Sequence, residues 1–211
     1  MSGMRKLTKD SNIYDIRDRL VRVYLKRILR RFRRLNQSLL AFDEINGLYA
    51  VNACYEDVVA MSVECLKETA KRTHKWLTGD DDFLVDMWLM GWLSTPDPVT
   101  HYKYYDEADR KRSRLFEALE SCRTSAERKK QIELAMKYFA KQFEQTADDV
   151  VEAILLEAAQ AAGFKYGIWR TWGDAKVCAD CRKKEGKIIL LSAFRKLHWN
   201  CRCWPEPIAK R

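Results

Sequence analysis

Four of the seven cysteines in the chain fall between Cys178 and Cys203, in the pattern Cys178-x-x-Cys181 followed by His198-x-x-Cys201-x-Cys203. A C-x-x-C pair can place two thiolates on one cation across a tight turn. A second half-site of the same kind then completes a tetrahedron, the sulfur and nitrogen geometry that Zn2+ takes at structural sites. The spacing C-x2-C-x16-H-x2-C is close to known zinc-module spacings. The predicted ligands are Cys178, Cys181, His198 and Cys201, with Cys203 as an alternative ligand. In an extended segment Cys201 and Cys203 point to the same side, so Cys203 either replaces His198 or stands behind the ligands. Four protein ligands leave no open position for water, so the expected Zn2+ is structural. The bland alternative is a set of free thiols.

Other chemistry finds less support. A thioredoxin-like pair needs its C-x-x-C at the start of a helix in a βαβ unit; here it reads as lying between a strand and a hairpin. A zinc deaminase needs H-x-E upstream of P-C-x-x-C, and neither is present. An HNH-type nuclease needs a catalytic histidine beside its metal ligands, and His198 is already used as a ligand. No phosphate-binding loop, dinucleotide fingerprint or G-x-S-x-G elbow occurs. The expectation is a protein that is not an enzyme and takes no small-molecule substrate.

The elements that must carry this cluster follow from the rest of the 211 residues. Ile13, Ile16, Leu20, Tyr24, Ile28, Phe32, Leu35 and Leu39 recur every three or four residues, one stripe of a long helix spanning about residues 10–36. Its other faces carry Arg17, Arg22, Lys26, Arg27, Arg30, Arg31, Arg33 and Arg34, a candidate contact for nucleic acid or an acidic partner; solvation of a helix face is the plain alternative. A second helix is predicted over about Leu40 to Leu77, with Cys54 and Cys65 as core thiols. Gly79 and Asp80-Asp81-Asp82 interrupt the pattern. Phe83 to Leu93, rich in Trp and Met, reads as a buried or partner-binding helix ended by Pro96 and Pro98. His101 to Tyr105 reads as an aromatic, basic loop, and His74 as a surface residue. Helix resumes from Asp106 to about Cys122. Thr124-Ser125-Ala126-Glu127 has capping-box spacing, and Thr146-Ala147-Asp148-Asp149 reads as a second, weaker cap. Gly163 suits a helix C-terminus. Beyond it, Tyr166 to Trp172 and Lys187 to Leu191 read as strands joined through a turn at Glu185-Gly186. The fold class is therefore mainly α: an elongated helical region, 1–163, followed by a small α+β zinc-binding module, 164–211.

Composition agrees. The chain is 47% hydrophobic and 33% charged, with 39 Lys+Arg against 30 Asp+Glu, too apolar for a disordered chain. No apolar run approaches the ~18 residues of a membrane helix, and no apolar segment of signal-peptide type follows the basic N-terminus. No membrane association is expected, and folding is expected in a cytosol. Residues 1–50 hold 12 basic and 5 acidic groups, 51–100 hold 4 and 9, and 151–211 hold 12 and 6. Two basic ends thus flank an acidic stretch, a distribution suited to a polyanion or an acidic protein surface.

The C-terminal residues also carry a family likeness. The run Trp169-Arg170-Thr171-Trp172-Gly173-Asp174-Ala175-Lys176-Val177-Cys178-Ala179-Asp180-Cys181, then Glu185-Gly186-Lys187-Ile188, then His198-Trp199-Asn200-Cys201-Arg202-Cys203 resembles the signature of phage minor head proteins. This is the head-morphogenesis family similar to the F protein of phage Mu. Pro98-Val99-Thr100 with Tyr102 and Tyr105, and Asp109-Arg110-Lys111-Arg112, extend the likeness more loosely. Many members have proline where this chain has Trp199. The resemblance implies a non-enzymatic minor capsid protein, incorporated in few copies during procapsid assembly. It implies phage portal protein and capsid or scaffold proteins as partners, and in some members contact with packaged double-stranded DNA, which would be non-specific here. It implies the bacterial host cytoplasm during assembly and then the virion capsid interior. A zinc-dependent, sequence-independent nucleic-acid-binding protein outside the virion is the competing expectation.

Overall fold

A computed structural model describes residues 12–39, 44–96, 103–171, 173, 175, 177–198, 201 and 203–208. Three long helices make the frame: α1 (Asn12–Ser38), α2 (Glu44–Thr78) and α5 (Ser125–Ala161). With 37 residues, α5 is about 55 Å long at 1.5 Å per residue. The basic helix is described from Asn12 and ends about two residues beyond its sequence limit. Ile28, Phe32 and Leu35 of its apolar stripe are fully buried. Phe32, Tyr55 and Phe139, one from each long helix, meet with ring centroids 5.8–6.1 Å apart, within the range where tilted and edge-on aromatic pairs attract.

The pairings fix the helix directions. Arg31 meets Asp57 while Arg27 meets Glu64, so α1 and α2 run antiparallel. Arg17 meets Asp148 while Phe32 meets Phe139, so α1 and α5 are antiparallel too. α2 and α5 are therefore parallel, and the chain must return between them. It does so through α3 (Val85–Leu93) and α4 (Tyr104–Glu120). Pro98, His101 and Tyr102 lie outside the described residues. Tyr104, expected in a loop, instead opens α4, where its hydroxyl bonds Ser62 Oγ of α2 at 2.5 Å.

Thr124 caps α5 as the sequence suggests. Its hydroxyl accepts from the Glu127 N–H, and the Glu127 carboxylate accepts from the Thr124 N–H. The second cap does not form, and α5 runs unbroken through Thr146. The Thr146 hydroxyl bonds back to the Gln142 carbonyl at 2.9 Å, an arrangement a helix interior tolerates. Asp148 and Asp149 are drawn into long-range ion pairs. At the far end, Gly163 takes φ 85° and the Phe164 N–H bonds the Ala159 carbonyl, closing the helix as a left-handed glycine does.

The C-terminal module is a three-stranded antiparallel sheet in the order β2-β1-β3. The central strand is β1 (Tyr166–Thr171), flanked by β2 (Ile188–Leu190) and β3 (Cys203–Ile208). A short helix, α6 (Ala179–Lys184), connects the first two; Trp172, assigned to the first strand from sequence, lies outside the described residues. β3 is absent from the sequence expectation because Pro205 and Pro207 argue against a strand. They are accommodated because β3 is an edge, where a missing N–H breaks no interior ladder.

Gly167 sits at a crowded point of β1. A Cβ there would lie 2.6 Å from Leu191 Cδ2 and 3.0 Å from the Glu206 carbonyl oxygen. The leucine can swing aside; the β3 backbone cannot. Gly167→Ala is expected to cost about 1–3 kcal/mol, read as a lowered denaturant midpoint with unchanged helical signal. An unchanged midpoint would contradict this packing.

The module leans on the bundle. Trp204 of β3 belongs to the helical core, and Leu156 of α5 packs against the module's own core.

Candidate metal centre

Cys178 is the N-cap of α6, and Cys181 lies in its first turn. The C-x-x-C therefore stands at the start of a helix, not in a bare turn as its sequence reading placed it. The flanking strands are antiparallel neighbours, so the setting is still not the parallel βαβ unit of thioredoxin-like proteins. The geometry of a helix start is useful here. The Cys181 N–H points at Cys178 Sγ, 3.4 Å away. That amide, more than anything else, lowers the Cys178 thiol to about 7, so the thiolate a metal needs is accessible near neutrality. Arg182 reinforces the turn by donating from Nε and Nη2 to the Val177 carbonyl, at 2.9 and 2.7 Å.

The second half-site comes from the segment between β2 and β3. A 3-10 turn, Leu191–Ala193, redirects the chain and buries Leu191 and Phe194. His198 then closes a turn in which the Cys201 N–H bonds its carbonyl at 3.2 Å. Cys203 opens β3, in register with Thr171 of β1. Each half-site is thus tied to one end of the central strand: α6 follows it in sequence and β3 pairs with it.

The five donors converge. Cys178 Sγ lies 3.0 Å and Cys181 Sγ 3.5 Å from His198 Nε2, and Cys181 Sγ lies 3.5 Å from Cys201 Sγ. Cys178, Cys181 and His198 form one metal-competent group, and Cys181, Cys201 and Cys203 another, with donor atoms in each within 4.8 Å of one another. Cys181 belongs to both. The four predicted ligands are thus divided between the two groups: Cys178, Cys181 and His198 in one, and Cys201 with the alternative Cys203 and the shared Cys181 in the other.

The donors differ in character. Burial pushes the Cys181 thiol up. Cys201 is pulled down, first by a hydrogen bond from Cys203, which for the same reason holds its own proton more tightly. Trp169 Nε1 is buried beside Cys203, and the indole favours the ionised form of that thiol. A buried donor aimed at a sulfur cluster suits a site that carries thiolate charge. The indole is held between Phe194, at 4.9 Å between centroids, and the Lys184 ammonium, 4.7 Å from its ring.

The other sulfurs are of a different kind. Cys54 and Cys65 are fully buried in α2, and burial pushes both thiols up to about 12. They are inert core residues, as expected from their setting.

The basic face of α1 divides. Arg17 pairs with Asp18 and Asp148 at 2.6 and 2.5 Å, Arg31 with Asp57 at 2.5 Å, and Arg27 with Glu64 at 3.7 Å. These three help to hold the bundle together. Arg22, Lys26, Arg30, Arg33 and Arg34 remain exposed with no carboxylate partner among the described residues. Arg27, Arg30, Arg31 and Arg34 line one side of a groove of about 460 Å3, faced by Asp57 and Glu64 of α2. His74 is half-buried, stacked on Phe83 at 4.3 Å, instead of lying free on the surface.

Sequence reasoning missed a charged cluster beneath the module. Lys196 Nζ lies 2.6 Å from Asp149 Oδ1 and 3.0 Å from Glu152 Oε1. Gln145 donates to the same Asp149 oxygen at 2.9 Å. Burial raises Glu152 well above the ordinary carboxylate range. Burial also works against the Lys196 ammonium, but Glu152, Asp149 and Asp148 outweigh it and hold its pKa high. The available signal was Glu152 itself, a lone charge among Val150, Val151, Ile154 and Leu155. Among the described residues no helix is long and apolar enough to cross a membrane. Comparison with protein-family models, with curated proteins and with solved structures finds no match for this chain.

Proposed function

We propose that this chain is a phage minor capsid protein of the head-morphogenesis type, non-enzymatic, built around one structural Zn2+ and acting at the portal vertex during procapsid assembly. The observation that carries this reading is that Cys178, Cys181 and His198, and Cys181, Cys201 and Cys203, residues on which the family resemblance rests, form two metal-competent groups that share Cys181. Three thiolates and an imidazole make a soft donor set that favours zinc over magnesium or calcium. Cys203, which groups with Cys181 and Cys201, is the alternative fourth ligand. Closed coordination of this kind holds a fold together and offers substrate no open position. The exposed row Arg22, Lys26, Arg30, Arg33 and Arg34 supplies charge for packaged DNA without any base-reading element.

Procapsids purified from the encoding phage are expected to contain this chain in few copies, and it should co-purify with the portal protein. Its absence from purified capsids would defeat the reading. The same exposed row favours one alternative, a zinc-dependent, sequence-independent nucleic-acid-binding protein outside the virion. Recovery of the chain on intracellular DNA, with none in capsids, would support that alternative instead.

A further inference from the structure

α3 is apolar on two sides. Val85, Leu89 and Leu93, four residues apart, are buried against the bundle. The opposite side should be polar in a surface helix, yet Leu84, Met87 and Met90 are 70%, 75% and 53% exposed. Their spacing of three puts them in one row along the helix surface. Gly91 extends the open ground beside Met90, since a Cβ there would meet nothing within 4 Å. Trp88 and Trp92 flank the row, stacked with centroids 6.2 Å apart, and Trp88 is fixed by an indole hydrogen bond to Glu157 at 2.7 Å. Scattered exposed apolar residues mean little, but a contiguous row marks a contact surface. Methionine suits one that must adapt to a partner.

The border of the row identifies the partner's chemistry. Asp80, Asp81 and Asp82 lead into α3 and Asp86 lies within it, all four exposed. Lys75 pairs with Asp81 and Lys67 with Asp86. Asp80 and Asp82 have no cationic partner among the described residues. The row is thus edged with negative charge on a chain whose net charge is +9. Two copies meeting through this face would set acid against acid, because a two-fold contact pairs each patch with itself. An anionic lipid surface would be repelled for the same reason. The chain's own basic helix cannot fill the place in a second copy, because Tyr24, Ile28, Phe32, Leu35 and Leu39 of its apolar stripe are already buried in the bundle.

We propose that the outer face of α3 docks a basic amphipathic helix of a partner protein. Leu84, Met87 and Met90 receive its apolar stripe, and Asp80 and Asp82 receive its lysines or arginines. The proposal is independent of the metal and of the head-protein reading.

The test uses the full chain and two labelled synthetic helices, one with Leu and Lys at helical spacing and one with Leu and Glu, followed by fluorescence anisotropy. The Lys helix is expected to bind at least about tenfold more tightly than the Glu helix. Met87→Gln with Met90→Gln should weaken Lys-helix binding by about tenfold, with circular dichroism and Tm unchanged because both side chains are exposed. Asp80→Asn with Asp82→Asn should also weaken it and flatten its salt dependence. Equal binding by the wild type and the methionine variant, or equal binding of the two helices, would overturn the proposal. So would a concentration-dependent dimer that the methionine variant abolishes, since that would assign the face to a second copy.

Discussion

Removing the metal is expected to unfold the three-stranded sheet while the long helices keep their helicity. The module's own core consists of Trp169, Val177, Cys181, Phe194, Cys201 and Cys203. Three of these six are thiols of the candidate centre, so without a cation half of that core is polar sulfur at close quarters. Structural zinc contributes about 10–16 kcal/mol in small metal-dependent folds, far more than six residues of core can replace. The helices do not share this dependence, because Phe32, Tyr55 and Phe139 pack without it. They will nevertheless lose stability, because Trp204 leaves their core when β3 detaches. Chelation should therefore remove the Trp169 and Trp204 part of the near-ultraviolet signal, lower the Tm of the remainder and leave far-ultraviolet helicity largely in place. Cys181→Ser should reproduce this, since Cys181 is the donor common to both groups. A near-ultraviolet spectrum unchanged by complete metal removal would contradict the account.

Lys196→Met should destabilise the protein by about 3–5 kcal/mol at neutral pH, the range for leaving a buried charge unpaired. The Lys196 and Glu152 side chains are only 10% and 12% exposed, and Asp149 shares the same ammonium. Its loss strands two carboxylates under the module. The pH dependence follows from the Glu152 shift. Burial already raises that pKa in the folded chain, and Lys196 opposes the rise. Without the lysine the folded-state pKa climbs further, so the folded variant binds a proton that the unfolded chain releases. Stability is then highest below the unfolded carboxylate pKa and is lost as pH rises through the folded value. Denaturant unfolding at pH 5 and pH 8 should find the variant closer to wild type at pH 5. Adding Glu152→Leu should recover part of the loss, because an apolar pair can replace a buried ion pair at little cost. A destabilisation below about 1 kcal/mol, the value of a surface pair, would contradict the role given to this cluster.

Much of this molecule was legible in its sequence, and the exceptions have physical causes. The long helices were readable because their apolar residues recur at helical spacing, and the Thr124–Glu127 box marked a true helix start. Thr146 misled because its hydroxyl has two uses, capping a helix or bonding back within one, and composition does not distinguish them. α6 was invisible because its six residues are too few to display a period. β3 was hidden by two prolines that only its edge position permits. The two donor groups that share Cys181 were legible because metal ligation demands particular side chains at particular spacings. The ion cluster at Lys196 was not, since it joins residues 47 positions apart through a docking that no local pattern encodes. The division of the α1 arginines into paired and exposed sets likewise depends on which carboxylates α2 and α5 present.

Native mass spectrometry of the full chain, purified without chelator, tests the central claim most directly. The account predicts one Zn2+ per chain, lost together with the module's share of the tryptophan signal on Cys181→Ser and retained on Met87→Gln. A chain that is fully folded with no bound metal and four freely titrating thiols between Cys178 and Cys203 would contradict it.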